Sequence, residues 1–193
     1  MTNEGIAKVR LLDPQIREIL FDYLEGQNRK IRILEEVNIG GSRADFVTVT
    51  DGIMTGYEIK SDADSYKRLT TQTQDYSVFC DYCYAVIGDS HREEIFGRVP
   101  EYWGVITVRT KNGGSGLELL RKAGKSPNVE MRNKLWLLWK RELVNIRVKF
   151  GLQKYENKNR NYLCRSLEKQ VPHEFLARAI TDELFERDYN LTK

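Results

Sequence analysis

The sequence predicts an α/β fold. A mixed central sheet, in the order α-β-β-β-α-β-α-β over residues 1–110, precedes a basic helical C-terminal extension. Three observations lead there. Apolar residues recur at helical spacing in two stretches that bracket three strand-like runs. Asp51-Gly52, a strong short hairpin signal, joins two of those runs. Residues 111–116, with three glycines in six positions, then separate this part from a remainder rich in Leu, Trp, Lys and Arg.

The first helix opens at Asp13-Pro14, with Asp13 as N-cap and Pro14 at the first helical position. Ile16, Ile19, Leu20, Tyr23 and Leu24 form its apolar stripe, and Gly26 ends it. Residues 31–39 read as a strand closed by Gly40-Gly41, and residues 44–50 and 53–60 as the two arms of the hairpin. A helix follows over residues 64–79, with Tyr66, Leu69, Thr73, Tyr76 and Phe79 as packing positions. Residues 82–87 form the next strand, Gly88-Asp89-Ser90 caps a short helix ending near Gly97, and residues 103–108 form a last apolar strand after Pro100. Three segments result: a core over 1–110, a flexible connection over 111–127, and a basic helical extension over 128–193 that packs on or beside the core. In the extension, one long helix is expected over residues 131–148 and another over 173–187.

With 193 residues, 40% of them apolar, the chain can bury one sizeable core. No apolar run approaches the roughly 18 residues of a membrane span, and residues 1–10 lack the apolar centre of a secretory signal. The cytoplasm is therefore expected, with no membrane partner. Cys80-Asp81-Tyr82-Cys83 has the spacing of half a zinc or thiol-redox motif, but a zinc site takes about four ligands and only Cys164, His91 and His173 remain to complete one. Free core or strand-edge cysteines are the expectation. The net charge of +3 hides an asymmetry: residues 1–108 hold 12 Lys/Arg against 18 Asp/Glu, a balance of −6, and the rest carries +9. An acidic part beside a basic part suits a protein that gathers cations in one place and phosphates in another, although a solvated helical surface gives the same count.

The hairpin carries the chemistry. With a two-residue turn at Asp51-Gly52, Thr50 pairs with Ile53, and the register runs on to put Asp45 opposite Glu58. Facing residues have Cβ atoms about 5 Å apart, and two carboxylates there repel unless a cation lies between them. Lys60 shares the face of Glu58, whereas Tyr57 and Ile59 point to the core. Gly56 lies on the site face too, where its missing side chain would let a substrate or a metal-bound water approach the backbone. On the following helix Gln72 and Tyr76 stand four residues apart and so face one side.

Asp45, followed by Glu58-Ile59-Lys60 on the next strand of an α-β-β-β-α-β core, resembles the PD-(D/E)XK nuclease superfamily with its restriction-endonuclease-like fold. Gln72-Thr73-Gln74-Asp75-Tyr76 resembles the Gln-xxx-Tyr motif of its RecB-like members. Arg43-Ala44-Asp45, residues 56–62 and Arg68-Leu69 are similar to a group of small bacterial and phage proteins of that superfamily. The resemblance covers roughly residues 10–110, more weakly 135–143; the usual proline before the first acid is absent, replaced by Arg43-Ala44.

The resemblance implies a metal-dependent deoxyribonuclease, a phosphodiester hydrolase of phage or DNA-repair type. Asp45, Glu58 and the Ile59 carbonyl would hold Mg²⁺, with Mn²⁺ as a substitute, and water would complete the shell. Lys60 would position the attacking water or stabilise charge on the phosphate, and Gln72 and Tyr76 would orient Lys60, a metal-bound water or a phosphate. Glu18 on the first helix and Glu36 on the strand before the hairpin are candidate accessory metal ligands, Glu36 preferred. Arg43, Lys67, Arg68, Lys134, Lys140 and Arg141 are candidate DNA contacts. Trp136 and Trp139 could stack on bases but are expected in the core. DNA is the expected partner, with a homodimer or a partner protein left open. The competing reading is a module of the same fold that binds nucleic acid without cutting it.

Overall fold

The computed structural model describes residues 10–27, 30–111 and 114–188. Its centre is a six-stranded mixed sheet in sequential order, β1 (Arg32–Ile39), β2 (Ser42–Thr50), β3 (Ile53–Lys60), β4 (Tyr82–Gly88), β5 (Gly104–Lys111) and β6 (Gly114–Arg121). The first three strands are antiparallel, β3, β4 and β5 are parallel, and β6 returns antiparallel to β5. The helices are α1 (Asp13–Glu25), α2 (Leu69–Phe79), α3 (Met131–Leu135), α4 (Lys140–Lys149), α5 (Arg160–Gln170) and α6 (His173–Glu186). No helix among the described residues is long and apolar enough to cross a membrane.

One face of the sheet is covered by α1. Its buried stripe Ile16, Leu20 and Leu24 meets Phe46, Tyr57, Ile59, Val86, Ile106 and Val108. Leu12, rather than Asp13, is the extended N-cap residue, and its N–H donates to Gln15 Oε1 at 2.8 Å. The other face carries α2 and the C-terminal helices, whose Leu135, Leu143, Ile146, Leu163, Leu176 and Ile180 share a core with Val47, Met54, Ala85 and Ile87 of the sheet. The extension is thus an integral layer of the fold.

The hairpin register is the expected one, from Thr50↔Ile53 to Phe46↔Tyr57. Gly52 takes φ +73°, and its N–H donates to Thr181 Oγ1 of α6 at 2.9 Å. Gly40, at φ +61°, turns β1 into β2 where a Cβ would lie 2.5 Å from Asp75 Oδ1 of α2. Both tight turns are therefore seated on helices, one at each end of β2.

The 111–127 connection contains β6, paired from Lys111↔Gly114 to Val105↔Arg121, so most of it is sheet and not linker. The helix expected over 64–79 begins only at Leu69, and two 3-10 turns, Asp89–His91 and Ile95–Gly97, replace the short helix before β5. The helix over 131–148 is two helices, because Trp139 is extended (φ −72°, ψ 158°) and its N–H is capped by Glu142 Oε2 at 2.7 Å. Lys134, expected as a DNA contact, does not lie at the surface. It is buried, with Nζ 2.6 Å from both oxygens of Asp81, whose Oδ2 also accepts the Met54 N–H at 2.8 Å. Removing Lys134 would strand a buried carboxylate, so Lys134→Ala is expected to cost about 3 to 5 kcal/mol in urea unfolding; a cost near zero would mean that the pair stabilises nothing.

Candidate active site

The site lies where β2 and β3 part. Their ladder stops at Phe46↔Tyr57, and Asp45 and Glu58 do not continue it as a paired rung. Instead the Ile59 N–H donates to Asp45 Oδ2 at 2.8 Å, and the Asp45 N–H donates to the Tyr76 hydroxyl at 3.1 Å. On its other side Asp45 is also skipped, because β1 pairs Glu35↔Phe46 and then Val37↔Ala44. The residue left between them, Glu36, has φ +55°, a conformation that side chains rarely adopt outside strained or functional positions.

Asp45, Glu58, Ile59 and Lys60 line one cavity of about 470 Å³, together with Gln72 and Arg68 from the α2 side. Glu58 is 1% exposed, so its charge needs close partners. Its Oε1 accepts from Lys60 Nζ at 2.5 Å and from Gln72 Nε2 at 2.6 Å, and its Oε2 accepts from the Tyr76 hydroxyl at 2.8 Å. Lys60 Nζ also donates to Gln72 Oε1 at 3.1 Å. The amide of Gln72 therefore clasps acid and base at once, which requires its oxygen toward Lys60 and its nitrogen toward Glu58.

Tyr76 reaches this position because β3 has glycine beneath it. A Cβ on Gly56 would lie 2.6 Å from Tyr76 Cδ1 and 3.0 Å from Cys80 Sγ. The glycine makes room for the tyrosine ring and not, as the sequence suggested, for a substrate or a metal-bound water. Burial first, and then Glu58 and Asp45, hold the Tyr76 hydroxyl well above its ordinary range, so it stays protonated and donates.

Arg17 was not foreseen. From α1 its Nη2 stands 3.1 Å from Asp45 Oδ1 and 3.2 Å from Glu36 Oε1, and its Nε 3.4 Å from Asp13 Oδ1. Glu18, the acid proposed on that helix, is exposed; its neighbour is the residue that reaches the site. The Glu36 carboxylate turns to Arg17 and to Arg43, whose Nε is 2.5 Å away. Glu36 thus balances arginines beside Asp45.

Even with Arg17 beside it, the Asp45 carboxyl is pushed up to about 6, by burial first and then by Glu58, against the opposing pull of the Ile59 N–H and Arg17. Among the described residues no group of three or more His, Cys, Asp or Glu side chains is disposed to hold a metal ion. The cavity lining includes four carboxylates, Asp13, Asp45, Glu58 and Asp64, of which Asp13 lies 3.4 Å from Arg17 and Asp64 accepts from Ser61. Cys80, Cys83 and Cys164 are buried free thiols.

Of the proposed DNA contacts, Arg43 and Arg68 line the cavity, while Lys67, Lys140 and Arg141 are exposed. Lys134 is the buried partner of Asp81.

Comparison with known proteins now adds a lineage. The family model for Bacteriophage P4 protein cII matches residues 2–192. The chain belongs to that family. Its description names a phage protein and no reaction. No curated protein matches the chain. A solved structure of Pyrococcus furiosus SfsA in complex with Ca²⁺ is similar at 14% identity, over 63% of this chain and 68% of that one, with a TM-score of 0.36. That likeness is too slight to carry an argument about the phage-family chain.

Gly56→Ala must push the Tyr76 ring off β3 and is expected to cost about 1 to 3 kcal/mol in denaturant unfolding; an unchanged midpoint would contradict the contact. Asp45 holds its proton more tightly folded than unfolded, so it adds stability below about pH 4, and that stability is lost as pH rises through about 6. Relative to Asp45→Asn, the wild type should therefore gain roughly 2 kcal/mol between pH 8 and pH 4.5 in urea titrations. A difference that stays constant across that range would show that Asp45 has an ordinary carboxyl.

Proposed function

We propose that this protein is a Mg²⁺-dependent nuclease of PD-(D/E)XK type, with a restriction-endonuclease-like core, that hydrolyses phosphodiester bonds in DNA. The observation that carries the reading is the meeting of two acids and a lysine in one cavity, Lys60 Nζ lying 2.5 Å from Glu58 Oε1, under a helix that supplies Gln72 and Tyr76.

The donor set suits a hard divalent cation. Two carboxylates with the Ile59 carbonyl would hold Mg²⁺, or Mn²⁺ in its place, and leave the other positions to water, as this ion prefers. Once bound, the ion would lower the pKa of a coordinated water and neutralise charge on the scissile phosphate. Asp45, with its carboxyl raised to about 6, has a proton affinity that a cation would relieve. Lys60 spends two donors on Glu58 and Gln72 and keeps a third for a phosphate oxygen or the attacking water. Tyr76 and Gln72 keep the Glu58 carboxylate from rotating. Arg43 and Arg68 at the cavity wall offer phosphate contacts.

One observation favours a second reading, a nucleic-acid-binding module that does not cut. Arg17 and Lys60 already neutralise Asp45 and Glu58, so the pocket needs no ion to be stable. Supercoiled plasmid, linear duplex and single strand, each incubated with Mg²⁺, Mn²⁺ or EDTA, separate the two. The nuclease reading expects cleavage that requires the metal and falls by roughly 100-fold or more in Glu58→Gln and Lys60→Ala. Binding without cleavage under every condition would establish the second reading.

A further inference from the structure

The turn between β1 and β2 forms part of the wall of the active-site cavity. Asn38, Gly40, Gly41, Ser42 and Arg43 line it just ahead of Asp45 on the chain. The turn is tightly held. Ile39 pairs with Ser42 across it, and Ser42 Oγ donates to Asp75 Oδ2 of α2 at 2.6 Å. Because α2 also supplies Gln72 and Tyr76 to Glu58, one helix fixes both this wall and the acid at the site.

The two glycines of the turn are not equivalent. Gly40 is required by the fold, since its φ is +61° and a Cβ there would lie 2.5 Å from Asp75 Oδ1. Gly41 is not. Its φ is not positive, and a Cβ on it would meet only Asp75 Oδ2, at 3.7 Å, which is an ordinary contact. A two-residue turn with positive φ at its first position alone is of the type II′ pattern, whose need for glycine falls on that first position. Alanine at 41 should even stabilise the fold slightly, because glycine has more conformational freedom to lose.

Neither the backbone nor the packing therefore accounts for the bare position at 41, which lies exposed on the cavity wall. Glycine at such a place lets a ligand come close to the main chain. The sequence gave that role to Gly56, where the Tyr76 ring takes the space instead.

We propose that Gly41 is a substrate-contact residue, over which the sugar–phosphate backbone of a nucleic-acid strand passes so closely that any side chain would obstruct it. The strand turns its backbone to this wall because a phosphodiester must come to Asp45 and Glu58, and because two cations line the same cavity, Arg43 beside the turn and Arg68 beside α2. The proposal rests on the reading that the cavity receives nucleic acid, which the nuclease and the non-cutting module share.

The test is fluorescence anisotropy of the full chain with labelled single-stranded and duplex DNA in EDTA, alongside urea unfolding of each variant. Gly41→Ala is expected to weaken binding of the preferred DNA by roughly 5-fold or more, and Gly41→Val to weaken it further. The unfolding midpoint of Gly41→Ala should stay where it is or rise, whereas that of Gly40→Ala should fall. Gly41 variants that bind as the wild type does would overturn the proposal, and so would a loss of binding in Gly41→Ala that comes with a lowered midpoint. Arg68→Gln shows how far such a failure reaches. If it weakens binding and the Gly41 variants do not, the strand enters the cavity and only the contact at Gly41 is wrong. If none of these variants changes binding, the cavity does not receive the strand, and both readings of it fail together with this one.

Discussion

The separation of β2 from β3 at Asp45 depends on one hydroxyl. Tyr76 accepts from the Asp45 N–H at 3.1 Å and lies 3.1 Å from the Tyr57 carbonyl and 2.8 Å from Glu58 Oε2. A backbone N–H inside a sheet must find an acceptor, and here the acceptor is a side chain from α2. The wedge has two effects. It frees the Ile59 N–H for Asp45 Oδ2, which turns that carboxylate toward β3, and it fixes the Glu58 oxygen that faces away from Lys60. Gly56 is the condition for both, since any Cβ there would collide with the ring.

The parts of this arrangement that follow from local pattern were legible in the sequence. Asp51-Gly52 set a register that holds down to Phe46↔Tyr57, and the period of two put Glu58 and Lys60 on one face. The four-residue spacing of Gln72 and Tyr76 brought both to Glu58. What failed depended on how elements dock. Gly56 was read as room for a substrate or a metal-bound water because nothing local tells which helix covers a strand. Arg17 was missed because the angle at which α1 crosses the sheet decides whether position 17 or 18 reaches Asp45. Residues 111–116 were read as a linker on glycine content, although an Asn-Gly sequence is a hairpin signal as strong as Asp-Gly.

Charge counting misled for a related reason. A surplus of Lys and Arg after residue 108 suggested a basic helical extension, yet several of those side chains hold the layer together. Lys134 pairs with Asp81, Arg187 with Glu142 at 2.6 Å, and Arg147 is buried, donating to the Gln153 carbonyl at 2.8 Å and to Ser166 Oγ at 2.6 Å. A long cationic side chain can serve as a buried cross-link or as a solvated charge, and sequence alone does not distinguish them. Once those structural charges are set aside, the exposed basic residues after residue 108 include Lys140, Arg141, Arg165 and Lys169.

The same sorting applies to the site itself. Asp45 and Glu58 are balanced by Arg17 and Lys60, but the two cations are not equivalent. Lys60 comes from the strand that carries Glu58, is 5% exposed and is clasped by Gln72, so its place is set by the sheet. Arg17 comes from a helix on the opposite layer and divides its guanidinium among Asp45, Glu36 and Asp13 at 3.1 to 3.4 Å. A group with several acidic partners loses little by releasing one of them, because Glu36 and Asp13 still compensate its charge. Of the two cations, Arg17 is therefore the one that Asp45 shares with other acids. Glu36, with its positive φ, places a second carboxylate 3.2 Å from the same guanidinium.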